Sequence, residues 1–134
     1  MNLKFEKNNN IFIVPFYIKK GKGKISFDII VTYNDKWVLT IAPLLKKESI
    51  PHDTDLLKLY EKLLIDNYYL SEVTYGLTKE GNIIVHAETY IEALSFENFK
   101  TELYSVVYGV QNFIEEIIPL IEKYKEKTYI RYIE

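Results

Sequence analysis

The chain has 134 residues, 48% of them hydrophobic, with 17 basic against 19 acidic side chains and no cysteine. That size and balance fit one globular domain with a real core. The net charge of −2 makes no electrostatic case for nucleic acid or an anionic membrane, and the lack of thiols excludes disulfides, thiolate zinc sites and thiol nucleophiles.

Met1 to Asn10 is polar and charged, unlike the apolar core of a signal peptide. No apolar run approaches the ~20 residues that span a bilayer. A cytoplasmic location is therefore the expectation. The single Met and the many Ile, Lys, Glu and Tyr fit a thermophile or an AT-rich genome equally well.

Ile11 to Ile18 reads as a first strand, and Pro15, which cannot donate to a ladder, favours a sheet edge. Lys19 to Lys24, with Gly21 and Gly23, reads as a basic turn. From Lys24 to Tyr33 the pattern alternates, with Ile25, Phe27, Ile29, Val31 and Tyr33 on one face. Asn34-Asp35 makes a tight turn, and Trp37 to Ala42 is a third strand ended by Pro43. Connections this short make the three an antiparallel meander.

After the loop Leu44 to Pro51, Asp53 or Thr54 caps a helix with Leu56, Leu57, Tyr60, Leu63 and Leu64 on one stripe, stopping near Asn67. Glu72 to Thr78 and Asn82 to Glu88 are two more strands, joined by a hairpin loop at Lys79-Glu80-Gly81-Asn82. Ser95 caps a final helix to about Lys125, roughly 45 Å long. Its main apolar line is Phe99, Leu103, Val106, Val110, Phe113, Ile117, Leu120 and Tyr124. A second line, Val107, Ile114, Ile118 and Ile121, widens the apolar arc to roughly 160°. That is more than one sheet face needs, so Ile114, Ile118 and Ile121 are expected to meet a second subunit. The chain's own N-terminus or tail is the rival cover. Pro119 falls on the polar side, where it bends the helix around a core.

The order βββ-α-ββ-α predicts an α+β fold: a five-stranded antiparallel sheet with the long C-terminal helix on one face. Residues 1–134 form one domain, with 1–10 a polar segment and 126–134 a tail that alternates like an edge strand. The expected core is Phe27, Ile29, Val31, Trp37, Leu39, Leu57, Leu64, Leu77, Ile83, Val85, Phe99, Leu103, Val106, Val110, Phe113 and Ile117.

This order resembles the type III secretion chaperone-like fold, most nearly its YbjN-like branch. The resemblance rests on Trp37 in the third strand, on Asp53 to Asn67 (DTDLLKLYEKLLIDN), on Thr74-Tyr75-Gly76-Leu77 with Glu80-Gly81-Asn82-Ile83, and on Ser95 to Ile118. It covers roughly residues 11 to 121. That family usually begins with a helix, where this chain has a short polar segment. The resemblance implies a non-enzymatic binding module, commonly homodimeric, with no catalytic residue to carry over.

Residue chemistry alone adds little to that. His52 and His86, with Glu88, include zinc-ligand types, but no HxH or HxxxH spacing unites them, and they read as surface histidines. Asp53 and Asp55 fit helix capping, and Glu115 and Glu116 a solvated helix face. The segment KKGKGK (Lys19 to Lys24), with Lys46-Lys47, could touch phosphates, but it lacks the phosphate-loop pattern and reads as an exposed turn. No metal or cofactor is expected. The twelve tyrosines are more telling, because tyrosine joins a large apolar body to a polar tip and favours interfaces. The candidate interaction surface is Tyr60, Tyr68, Tyr69, Tyr104, Tyr108, Ile114, Ile118 and Ile121. The expected function is a homodimeric, chaperone-like protein-binding module. The alternative is a small-molecule sensor with an apolar pocket between sheet and last helix.

Overall fold

A computed structural model describes residues 3–124, the side chains of 123 and 124 excepted. The tail 126–134 and the side chain of Tyr124 lie outside the described residues. Six strands, β1 (Glu6–Asn8), β2 (Ile11–Lys20), β3 (Gly23–Tyr33), β4 (Trp37–Leu45), β5 (Tyr75–Leu77) and β6 (Ile83–Tyr90), form one antiparallel sheet in the order β1-β2-β3-β4-β6-β5. The expected five strands are thus six. The added strand lies in the N-terminal segment, where Asn9 takes φ 56° and Asn8 pairs with Ile11 across a two-residue turn. Asparagine tolerates that left-handed turn, which a hydrophobic pattern cannot signal.

The alternation in β2 and β3 sets one sheet face. Phe12, Val14, Phe16 and Ile18 lie opposite Val31, Ile29, Phe27 and Ile25. Thr40 opposite Ala87, and Ala42 opposite Val85, extend that face across β4 and β6. The meander is tied at Asn34, whose Oδ1 accepts from the N–H groups of Lys36 and Trp37, both at 2.8 Å. β4 runs through Pro43 to Leu45, with its register to β6 shifting at a bulge between those residues. Pro43 fits there because β3 pairs with β4 only as far as Ile41.

Helix α1 (Leu56–Tyr69) is capped by Asp55, whose carboxylate accepts from Lys58 N–H. Helix α2 (Phe96–Asn112) is capped by Ser95, which accepts from Asn98 N–H at 3.0 Å. The Asn98 side chain reaches back to the Ala93 carbonyl at 2.7 Å, in place of the acid of a capping box. A π-helical turn, Phe113–Ile117, then leads into α3 (Ile118–Tyr124). Ile118 N–H donates to Phe113 O, five residues back. Pro119 follows at once, with no N–H to continue an i−4 ladder.

The wide turn answers what covers the second apolar line. It brings Phe113, Ile114 and Ile117 inward together, and Ile121 is buried beyond it. Ile114 and Ile121 are therefore corrected from the candidate interface to the core of the chain itself, and only Ile118, 39% exposed, stays at the surface. Ile25, Phe27 and Leu44 line the same cleft as Ile114 and Ile118, so the β2–β3 hairpin supplies part of the cover.

The core lies between the α2 side of the sheet and the helices, where Ile29, Ala42, Leu59, Ile83, Val85 and Ile117 are fully buried. α2 packs on β4 and β6, and α1 against β5, the π turn and α3. Five expected core residues lie outside it, among them Leu39, which sits opposite Glu88 on the other sheet face while Val38 and Thr40 point inward. Trp37 stacks edge-on against Tyr90 at the surface, and Leu57, Leu64 and Leu77 are exposed. In α1 the inward residues are Leu59, Leu63 and Asp66.

Gly109 sets how closely α2 approaches β6. A β-carbon there would lie 2.6 Å from Val85 Cγ2 and 3.3 Å from Val73 Cγ1. Gly109→Ala is expected to lose about 1–2 kcal/mol, since overpacking outweighs the gain in helix propensity. Urea denaturation of the two proteins measures it, and a variant as stable as the parent would mean that α2 can lift without cost.

Candidate protein-binding surfaces

Among the described residues no group of three His, Asp or Glu side chains is placed to hold a metal ion. His86 on β6 bonds Glu88 through Nδ1, while His52 lines a cleft with Lys47, Glu48 and Glu80 before α1. The lysines of 19–24 surround an exposed hairpin turn at Gly21, with Lys24 Nζ 4.8 Å from the Tyr17 ring. Glu115 and Glu116 are exposed on the π turn.

The apolar surface is more organised. α1 has two apolar faces. One buries Leu59 and Leu63. The other carries Leu57, Tyr60, Leu64 and Tyr68, spaced three, four and four residues apart on adjacent turns. Leu57, Leu64 and Tyr68 are 69%, 68% and 82% exposed. The stripe continues onto the edge strand β5, where Tyr60, Leu64, Gly76 and Leu77 line an apolar notch of about 220 Å³. Scattered exposed hydrophobics are ordinary, but a contiguous run on one helix and one strand is an interaction feature.

A buried polar network holds α1 in this pose. Asn67 clamps the Tyr75 backbone, accepting from its N–H at 2.7 Å and donating to its carbonyl at 3.1 Å. Tyr75 Oη donates to Gly109 O at 2.7 Å. The Asn112 amide donates at 2.9 Å both to Tyr75 Oη and to Asp66 Oδ2, and Lys62 Nζ reaches Asp66 Oδ1 at 2.8 Å. Burial first, and then the Asp66 carboxylate, push the Tyr75 phenol well above its ordinary pKa, against the opposing Asn112 bond. This network joins α1, β5 and α2, and neither Asp66 nor Asn112 stood among the sequence candidates. Their partners lie 37 and 46 residues apart in sequence, so only the folded chain reveals them.

Tyr60 and Tyr68 thus join the α1 stripe. Tyr69 is exposed and packs edge-on against Tyr68, and Tyr104 and Tyr108 are exposed on α2. The structure does not gather all five tyrosines into one patch.

Glu102 on α2 adds an electrostatic feature. Its carboxyl is held above the usual range by burial, and then by Glu72 and Glu88. The folded chain therefore binds this proton more tightly than the unfolded chain does. Its contribution to stability is present below the unfolded value and is lost as pH rises through the folded value. Glu102→Gln is expected to stabilise at pH 7 by less than about 1 kcal/mol, with no gain at pH 3. Denaturation at the two pH values checks the sign.

A second apolar feature lies beside α2. One cavity of about 570 Å³ is lined by Leu3, Phe5, Phe12, Val14, Val31, Phe99 and Leu103. A neighbour of about 460 Å³ shares Phe12, Val31 and Phe99 and reaches Tyr33, Val38, Ile91, Leu94 and Phe96. Together they form an open groove between the first half of α2, the Leu3–Phe5 segment and strands β2 to β4.

No helix among the described residues is long and apolar enough to cross a membrane. No protein-family model matches the chain, and no curated protein matches it. Solved structures do. A chain of the heterodimeric ExoU–SpcU complex from the type III secretion system of Pseudomonas aeruginosa matches with a TM-score of 0.54 at 15% identity, over 78% of this chain and 84% of that one. A chain of the ExsC–ExsE complex matches with a TM-score of 0.51 at 10% identity, over 78% and 76%. A chain of the HopA1–SchA chaperone–effector complex gives 0.46 at 16% identity, over 92% and 80%. At these identities the likeness is one of fold: the chain has the antiparallel α+β fold found in complexes of type III secretion proteins.

Proposed function

We propose that this protein is a chaperone-like module that binds another protein without chemistry and acts as a homodimer. The observation that carries the reading is the second apolar face of α1. A helix already packed by Leu59 and Leu63 has no need of Leu57, Leu64 and Tyr68 for its own fold. Leaving them in water costs solubility, and covering them with a like surface recovers hydrophobic free energy. A twofold interface is self-complementary, and two copies of α1 with the adjoining β5 edge can meet that way. The similar solved chains come from complexes of two different proteins, which supports a protein partner beyond the homodimer. The YbjN-like branch remains the finer reading of the fold, resting on Trp37 and on the α1 and hairpin motifs.

Sedimentation velocity tests the reading. A dimer is expected at concentrations down to about 1 μM, in keeping with an interface of standard size. A monomer persisting to about 100 μM would contradict it.

A further inference from the structure

We infer that the groove beside α2 is a docking site for an amphipathic helix of the partner protein, apolar along one face and acidic at its flanks. This deepens the proposed protein-binding function and rests on it, but it uses a different surface from α1.

The groove is apolar because the helical layer is incomplete. α2 packs on β4 and β6, so the inward faces of β2 and β3 lie beyond its edge. Phe12 and Val14 there are half-buried and buried, while Phe5 and Phe96 at the rims are 58% and 56% exposed. A two-layer fold covers such a face with a helix.

The kind of occupant follows from hydrogen bonding. The floor is made of paired strands and the wall of a helix, so their backbone groups are already bonded. An extended peptide laid in the groove would bury N–H and C=O groups with nothing to bond. A helix satisfies its own backbone and presents only side chains. Crossing β2, β3 and β4 at about 4.8 Å each and bounded by Leu3 and Phe5, the groove seats about two to three helical turns.

Charge selects further. Lys7 Nζ sits 5.6 Å from the Phe12 ring on the β1 rim. Lys100 lies four residues from Phe96 and three from Leu103, at the α2 rim. Acidic residues flanking an apolar stripe pair with both lysines, and basic ones are repelled.

The test uses a 14-residue lactam-stapled amphipathic helix with leucines on one face and glutamates beside them, labelled for fluorescence anisotropy. A matched peptide carries lysines in place of the glutamates. The acidic peptide is expected to bind the parent protein more tightly than the basic one. Phe5→Glu and Phe96→Glu, both at exposed positions, should each weaken it by about tenfold or more. Leu64→Asp should leave its affinity unchanged. Amide exchange should show protection at β2, β3 and the start of α2. Four results would overturn the proposal: no binding, equal binding to the groove variants, loss of binding in Leu64→Asp, or groove protection that rises with protein concentration alone. Dodecanoate raising the melting temperature of the parent but not of Phe96→Glu, with the peptide inert, would reassign the groove to a small apolar ligand. Sedimentation separates the two surfaces, since a failed groove leaves the dimer intact and a failed dimer leaves peptide binding intact.

Discussion

Asn112→Ala is expected to lower stability by about 2–3 kcal/mol, a large loss for a single amide. The amide supplies both of its hydrogens to buried acceptors, Asp66 Oδ2 and Tyr75 Oη. Asp66 is only 5% exposed, so water cannot replace the lost donor without opening the α1–α2 contact. A buried carboxylate oxygen left unpaired carries its full desolvation penalty, which exceeds the net worth of an ordinary hydrogen bond. Lys62 still holds the other oxygen, which keeps the loss below that of stripping a buried charge bare. For a domain of this size the change amounts to a melting point roughly 10 °C lower. Tyr75→Phe, which removes the bond to Gly109 O and the acceptor of one Asn112 hydrogen but leaves Asp66 paired, should lose less, about 1–2 kcal/mol. Thermal unfolding followed by circular dichroism ranks the two. A loss under about 0.5 kcal/mol for Asn112→Ala would mean the network is not what holds α1 in place.

Leu64→Asp carries the largest expected effect on assembly. Leu64 lies in the α1 stripe and also lines the notch against β5, so it belongs to both halves of the patch. In a twofold interface every substitution enters twice, so two aspartates would be buried in it. The dimer dissociation constant should rise by about 100-fold or more. Leu64 is 68% exposed in the single chain, so the variant should unfold at the parent's temperature when both are dilute. A dimer as tight as the parent's would move the interface elsewhere.

Much of the fold was legible from local signals. The alternation of Lys24 to Tyr33, the Asn34-Asp35 turn, the Ser95 cap and the loop at Gly81 each state their own geometry in adjacent residues. What escaped had nonlocal or ambiguous causes. β1 is three polar residues, held by pairing with β2 rather than by any pattern of its own. In α1 the sequence shows leucines around much of the helix, and periodicity cannot say which stripe faces inward. By pattern Leu57 and Leu64 read as core, whereas Leu59 and Leu63 occupy it. That ambiguity has a physical source, since the helix has an apolar face to spare. The last helix posed the converse case. Its two adjoining apolar lines looked like one face too many for a regular helix, and the π turn before Pro119 draws most of both inside. The excess breadth was a signal of helix geometry, and the surplus apolar face lay on α1 instead. The sequence implies the groove beside α2 only as a pocket between sheet and helix. Its extent depends on where α2 stops covering the sheet, which no window of sequence contains.

The most direct measurement uses the chain's lack of cysteine. A single Leu64→Cys substitution puts the only thiol on the α1 stripe, and Tyr104→Cys puts it on the outer side of α2. Under mild oxidation, the proposed dimer predicts that Leu64→Cys forms a disulfide-linked dimer rapidly and nearly completely at low micromolar concentration, while Tyr104→Cys stays largely monomeric on a non-reducing gel. Equal, slow cross-linking of the two variants, as free collision would give, would contradict the assignment of α1 as the homodimer face.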